Sequence, residues 1–490
     1  MGFKVDTSFL RFLTMGALGV RQVAQDLANR GFEPIELERY CGSNKIWATK
    51  VKRLRLPDLL CIRTGIRAEV RAKSDLKIRM SDAPNNPDRV WDAEQRDEDI
   101  VALIACRNGN DGPEPANEAI YFTVKALRDS VDMSKLGPPK SPSEGAEQDR
   151  TWPATVPSRP GRVLSVTDEK LVVMMEGDGN DARRQTYTLN GKHPYVTPGD
   201  KFKADVSMLA GAPAALADLN AHLIDEYDPL ADTGSDNPVD RYAAVKALRF
   251  RQDLRKDSLP ALEGMLDTEG EIRVALEAAG SAAFIGSGKA EQFIEDVLWN
   301  HQAREMSMEA ILILTELKTA FAREQLRRVA GDAQFQGDER RQAAIWGLGK
   351  LGVTAYADLL PFISDDEENV AFHAIAAFGD DAPADVIDRL IAILVEGDPK
   401  RAPAASEALR VIGAPLVVER LAHAADAGDG NVDWVLATIG RMPPDLVRRQ
   451  LEGSALLERL QPMLLIAQGA NWLAAEEATT NLAFLRKQNL

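Results

Sequence analysis

Cysteine is scarce in this chain. Cys41, Cys61 and Cys106 are the three among 490 residues, with no CxxC spacing. That excludes a disulfide framework and a thiolate zinc cage as organising devices. Histidine is nearly as sparse: His193, His222, His301, His373 and His423 are the full set, and none stands at zinc-ligand spacing. His373, inside a helical pattern, reads as a packing residue. No apolar run reaches the length of about 18 residues that a membrane-spanning helix needs. The opening MGFKVDTSFLRFL alternates apolar and charged residues from the start, which predicts no cleavable leader. Asp6 stands where myristoylation would want Ser or Thr. A reducing cytoplasm is the expected setting.

Positive charge is also in deficit: 59 Lys and Arg face 75 Asp and Glu, a net of −16. The deficit is uneven. Residues 1–80 hold 16 basic and 8 acidic side chains, a net of about +8 in an otherwise acidic chain. A basic end on an acidic protein predicts an anionic partner at that end.

The chain is long enough for several domains. Residues 8–30 repeat apolar positions at helical spacing (Phe9, Leu13, Ala17, Val20, Ala24, Leu27), and Gly31 follows as a C-terminal cap. FEPIELER (32–39), RLPDLLCI (55–62) and IRAEVRAK (66–73) read as strands. Asp92 is placed to cap a helix running to about Cys106, anchored by Trp91, and AIYFTVKAL (119–127) reads as a last buried strand. The predicted order is α-β-β-β-α-β over residues 1–133. Residues 134–160 are rich in Pro, Ser, Gly and Glu and predict a linker. Residues 161–215 hold short runs rich in Val, Thr and Tyr between GDGND and NGK turns, the pattern of a small β-barrel or sandwich. From 238 to 490 the period changes. DERRQAAIWGLGKLG, ENVAFHAIAAFGD, PAASEALRVIG and DWVLATIG each begin charged and close on glycine, at Gly349, Gly379, Gly413 and Gly440. A helix-pair unit recurring about every 30 residues predicts an α-solenoid.

In IRAEVRAK, apolar Ile66, Ala68, Val70 and Ala72 alternate with charged Arg67, Glu69, Arg71 and Lys73. That is a strand with one buried face and one chemical face. Asp58 lies at the head of the preceding strand. Two carboxylates on neighbouring strands suit a hard divalent cation, which takes one or two carboxylates plus waters and substrate oxygens. A cation beside them suits the charge that develops on a phosphate.

On these residues the N-terminal part resembles the PD-(D/E)xK nuclease superfamily, in element order and in motif. The resemblance implies a restriction-endonuclease-like α/β fold in which Asp58 and Glu69 hold Mg²⁺ or Mn²⁺. The family's lysine maps onto Lys73, two residues beyond its usual place, and Arg71 occupies that place. Catalytic roles therefore fall to Asp58, Glu69, Lys73 and Arg71. Lys50, Lys52, Arg53, Arg55 and Arg67 would follow a nucleic-acid backbone, since phosphate contacts give affinity and register. The C-terminal half resembles HEAT repeats, which implies a protein partner for the helical array. Together the resemblances imply a metal-dependent endonuclease acting on DNA, with RNA left open. By analogy, a nuclease joined to a repeat scaffold suits defence against foreign DNA. The alternative is a nucleic-acid-binding scaffold with a degenerate, non-catalytic nuclease fold.

Two other motifs are set aside at this level. IGSGKA (285–290) has Ala283 and Ala290 where a phosphate loop needs Gly and Ser or Thr. DDEE (365–368) reads as an acidic turn between helices.

Overall fold

The computed structural model describes residues 7–37, 47, 54–109, 112–141, 146–177, 182–216, 218–219, 227–428 and 430–469. Within these, the chain is sheet-rich in its N-terminal part and helical in its C-terminal part, and it divides into two compact units. The first contains residues 12–37 and the described residues of 54–261; the second contains residues 7–11, Trp47 and the described residues of 262–469.

Helix α1 (Thr7–Asn29) follows the predicted periodicity, burying Leu13, Ala17, Val20, Val23 and Leu27. The main sheet joins β1 (Pro34–Glu36), β2 (Leu59–Cys61), β3 (Arg67–Lys73), β5 (Ile100–Gly109) and β6 (Gly112–Pro115) in that order. Strand β7 (Ile120–Thr123) also pairs with β5. The β1–β2 and β2–β3 pairs are antiparallel, whereas β3 and β5 run parallel. The predicted helix over 92–106 is absent. Residues 91–94 are turns, and Ile100–Gly109 forms β5. The reason is burial on both faces, which makes a parallel strand a continuous apolar run with no period to read. The predicted strand over 119–127 is half strand. Thr123 caps α2 (Val124–Asp129) by accepting a hydrogen bond from the Ala126 N–H.

Alternation along β5 assigns the two faces of the sheet. Ala102 and Ile104 stand beside Val70 and Ala72 in the register, on the α1 side. Gly19 of α1 lies there, and a Cβ built on it would sit 2.5 Å from the Ala72 Cβ and 3.3 Å from Ile104 Cγ2. Gly19→Val is therefore expected to cost about 1–3 kcal/mol, read as a lower urea midpoint with unchanged slope. On the other face Val101, Leu103 and Ala105 join a core with Met80, Trp91, Phe122, Trp152 and Met208.

Residues 134–160 are not a linker. They supply β8 (Lys135–Leu136), β9 (Gln148–Thr151) and β10 (Ala154–Thr155). Strands β8 and β9 form a three-stranded sheet with β4 (Arg79–Asp82), and Trp152 packs edge-on against Trp91 at 5.1 Å. The small β-region follows. A four-stranded sheet is ordered β13 (Arg183–Thr188), β12 (Lys170–Met175), β11 (Gly161–Val166), β15 (Lys201–Phe202). Its core, built on Val163, Leu171, Val173, Met175, Phe202 and Leu209, also takes in Ala210 of β16 (Ala210–Gly211), which pairs with β10 and β14 (His193–Pro194). Helix α3 (Pro238–Phe250) completes the first unit, capped by Asn237.

The second unit begins within α4 (Arg255–Thr268). It continues through α5 (Ile272–Ile285), α6 (Gly288–Asn300), α7 (Arg304–Leu317), α8 (Ala320–Gly331), α9 (Glu339–Lys350) and α10 (Glu368–Ala376). Helices α11 (Ala384–Glu396), α12 (Arg401–Ile412), α13 (Pro415–Ala427), α14 (Val432–Arg441), α15 (Pro444–Gln450) and α16 (Ala455–Gly469) follow. Helices α5, α7, α9, α10, α12, α14 and α16 pack each on the next, and α11, α13 and α15 form a second row. Two parallel rows of helices from alternating positions in sequence make a solenoid. IGSGKA is a helix junction within it. Gly286 (φ 112°) ends α5, and the Ser287 hydroxyl accepts from the Ala290 N–H to start α6. The DDEE turn clamps the preceding helix, with Asp365 at 2.7 Å and Glu367 at 2.5 Å from the Arg341 guanidinium.

Candidate active site

Asp58 immediately precedes β2. Leu59 pairs with Ala68 and Leu60 with Arg67, so one further step of the same register sets Asp58 opposite Glu69. Directly opposed residues of an antiparallel pair present their side chains to the same face, about 4.5–5.5 Å apart at Cβ. The Asp58 carboxylate also ends the ladder: the Val70 N–H donates to its Oδ2 at 2.7 Å. That bond fixes one Asp58 carboxylate oxygen at the backbone N–H of the residue after Glu69.

Arg71 and Lys73 continue the Glu69 face along β3. Arg71 pairs with Glu69 at 2.8 Å. Lys73 stands level with Ala105 of β5, at the rim of the apolar core. Burial, with Arg71 and Arg79 beside it, pushes its ammonium down to about 8, and Asp149 opposes the shift. Asp149 in turn holds Lys140 at 3.0 Å and Arg79 at 3.5 Å. Arg55 lies on the other side of Glu69. Burial lowers its guanidinium, and Arg71 and Arg89 add to that while Glu69 opposes it. Its Nη1 donates to the Asp88 carbonyl at 3.2 Å. Glu69 is thus accompanied by Arg71 and Arg55, with Arg89 beside Arg55, while Lys73, Arg79, Lys140 and Asp149 form a second charged group at the far end of β3.

Glu69, Arg71 and Lys73 lie along one face of β3 with Arg55 beside Glu69, and Asp58 is joined to the same strand at the Val70 N–H. Arg67 does not join them. Its side chain is 1% exposed and bound to Asp99 at 2.8 Å and Asp240 at 3.0 Å, so it cannot meet a nucleic acid. Alternation alone put it on the chemical face, and a buried carboxylate from the loop before β5 claimed it. Lys50, Lys52 and Arg53 lie outside the described residues. Arg63 is held by Glu33 and Asp253, and Lys77 by Asp75. Arg89, Lys140 and Asp149 were missed, the last two because their segment reads as a linker. Trp152 was the available signal, since a tryptophan inside a polar stretch argues for a core beneath it.

No group of three or more His, Cys, Asp or Glu side chains poised to hold a metal occurs among the described residues. Zinc cages and all-protein calcium cages do not fit this site. Two carboxylates, Asp58 and Glu69, are a donor set that would suit Mg²⁺ or Mn²⁺ completed by water and phosphate oxygens, once Glu69 is released from Arg71. Cys61 and Cys106 are buried, and burial pushes their thiols up to about 12 and about 11, so neither offers a thiolate.

The depressed Lys73 gives a signed prediction. A buried lysine whose ammonium is disfavoured costs stability in full below about pH 8, and the cost fades as pH rises towards the unfolded value of about 10.4. Lys73→Met is expected to raise stability at pH 7 by about 1–3 kcal/mol while weakening phosphate chemistry at the site. Urea unfolding at pH 7 and pH 10 checks it: the gain must shrink at the higher pH.

No protein-family model matches this chain, and no curated protein matches it. Among solved structures, it is similar to the complex of CpcE and CpcF of phycocyanin lyase from Nostoc sp. PCC7120. That likeness has 20% identity and a TM-score of 0.25, over 50% of this chain and 96% of that one. It is also similar to the E. coli protein YibA, at 12% identity and a TM-score of 0.24, over 48% of this chain and 91% of that one. Neither likeness assigns a family. No helix among the described residues is long and apolar enough to cross a membrane.

Proposed function

We propose that the first unit is a PD-(D/E)xK-type domain that hydrolyses nucleic-acid phosphodiesters, DNA in the first place. The observation that supports this most is the placement of Asp58 opposite Glu69, with Lys73 further along the same strand face. Asp58 and Glu69 would hold the divalent cation, which when bound supplies Lewis acidity and an activated water. Lys73, pushed down to about 8, exchanges a proton near neutral pH more readily than an ordinary lysine. Arg71 is drawn from Glu69 to a substrate phosphate, which its planar fork binds through two hydrogen bonds. Arg55, Arg79 and Lys140 neutralise flanking phosphates. The helical unit, with its two rows of helices, is read as a HEAT-like scaffold that engages a protein partner.

Plasmid nicking in Mg²⁺ or Mn²⁺ tests the reading. Wild type is expected to nick, and Asp58→Asn and Glu69→Gln to lose at least about a hundredfold in rate. Equal nicking by all three would sink the proposal. The 2.8 Å pairing of Glu69 with Arg71 favours a second reading, a domain that binds nucleic acid without cutting it. Under that reading no variant nicks, and Asp58→Asn leaves metal-dependent thermal stabilisation at zero, as in wild type.

A further inference from the structure

The four-stranded sheet β13-β12-β11-β15 carries no Asp or Glu in any of its strands: GRVLSV, KLVVMM, RRQTYT and KF. In a chain of net charge −16 the acidic residues of this region are confined to the connections, at Asp168, Glu169, Glu176, Asp178, Asp181 and Asp200, and the strands carry cations alone. Register makes it a pattern. Arg184 pairs with Met174, Met174 with Arg162, and Arg162 with Lys201. The four residues form one row across all four strands, and paired residues share a face. The rows on either side, Val163 with Val173 and Phe202 with Gly161 and Met175, point into the core, so the row of Arg184, Arg162 and Lys201 points outward. All three cations are exposed, and none has an ion-pair partner among the described residues. Lys170, two residues before Val172 on β12, adds a fourth cation on the same face, and Thr186 and Thr188 add hydroxyls.

Like charges directly across a strand pair destabilise a sheet. Arg162 and Lys201 are such a pair, and Arg184 lies two strands from Arg162, about 9–10 Å away. A row of unneutralised cations with hydroxyls beside it complements a row of phosphates. We infer that this outer face binds a nucleic-acid backbone, as a second contact surface separate from the Asp58–Glu69 site. It shares the substrate class of the proposed function but none of its residues, and it requires no metal.

The test is binding of the full chain to short fluorescein-labelled DNA, single-stranded and duplex, by polarisation in EDTA across about 50–200 mM salt. The triple variant R162A/R184A/K201A changes only exposed side chains and is checked for folding by circular dichroism. It is expected to bind about tenfold more weakly at about 0.1 M salt, with a log–log salt slope shallower by about 2–3. R162K/R184K is expected to keep the slope, because charge is what the phosphate reads at long range. R420A, an exposed cation of the helical unit, is expected to change nothing. The inference is overturned if the triple variant keeps wild-type affinity and slope. It is equally overturned if wild type binds no DNA, or if anionic vesicles or heparin are bound in preference to DNA. Asp58→Asn separates the two proposals: it abolishes nicking and leaves binding in EDTA intact, so failure of either is visible alone.

Discussion

Arg67→Ala is expected to destabilise the sheet-rich unit by about 3–5 kcal/mol, enough to unfold a marginal domain at 37 °C. The arginine is sealed beneath the loop that leads into β5. Its Nε donates to Asp99 Oδ2 at 3.0 Å, its Nη1 to Asp240 Oδ1 at 3.0 Å and its Nη2 to the Glu94 carbonyl at 3.2 Å. Asp99 also binds the Arg67 and Arg96 backbone N–H groups, at 3.2 and 2.8 Å. Removing the guanidinium leaves a buried carboxylate with only Arg96 to balance it and frees the start of α3 from β3. Arg67→Lys is expected to recover little, since one ammonium cannot serve three separated acceptors. Urea unfolding measures the loss. A variant as stable as wild type but weaker in DNA binding would instead mean that Arg67 reaches the ligand.

The second large effect concerns the helical unit and is set by pH. His373 lies in α10 with no exposed surface, its ring 5.0 Å from the Trp47 ring. Burial pushes its imidazole down to about 3. The folded protein therefore holds the neutral ring, while the unfolded chain takes up a proton below about 6.5. Stability from this residue is whole above about pH 6.5 and is lost as pH falls towards 3. From pH 7 to pH 4 the expected loss is roughly 3 kcal/mol. His373→Leu is expected to remove that slope, leaving only the part due to carboxylates. Unfolding midpoints of the two proteins at pH 7 and pH 4 decide it: parallel decline would show that His373 is not the acid-sensitive group.

Both effects sit where one-dimensional reading was weakest. The sequence placed His373 in a repeat helix as a packing residue, which agrees with the structure, yet nothing in the local pattern names Trp47 as its neighbour. For Arg67 the alternation of IRAEVRAK was right and its consequence was wrong. The period assigns a face, and whether that face is open to solvent at a given residue depends on what other segments place over it. Glu69, Arg71 and Lys73 stay at the rim, while Arg67 is roofed by Asp99 and Asp240. The expected helix over 92–106 failed for a related reason. IVALIACR has no usable period, and its pairing to β3 on one side and β6 and β7 on the other makes it a strand. Residues 134–160 look unstructured by composition because their strands are short and only Trp152, Thr155 and Pro157 among the described residues of the segment are buried.

Local periodicity by itself determined α1, β3 and the division into a sheet-rich and a helical part, because repeat spacing and strand alternation are properties of neighbouring residues. Tertiary structure alone decided which cations lie beside Glu69, which one is buried in an ion pair, and that Arg162, Arg184 and Lys201 form one row. Those facts depend on register between strands far apart in the chain, and register is fixed by packing of the whole sheet.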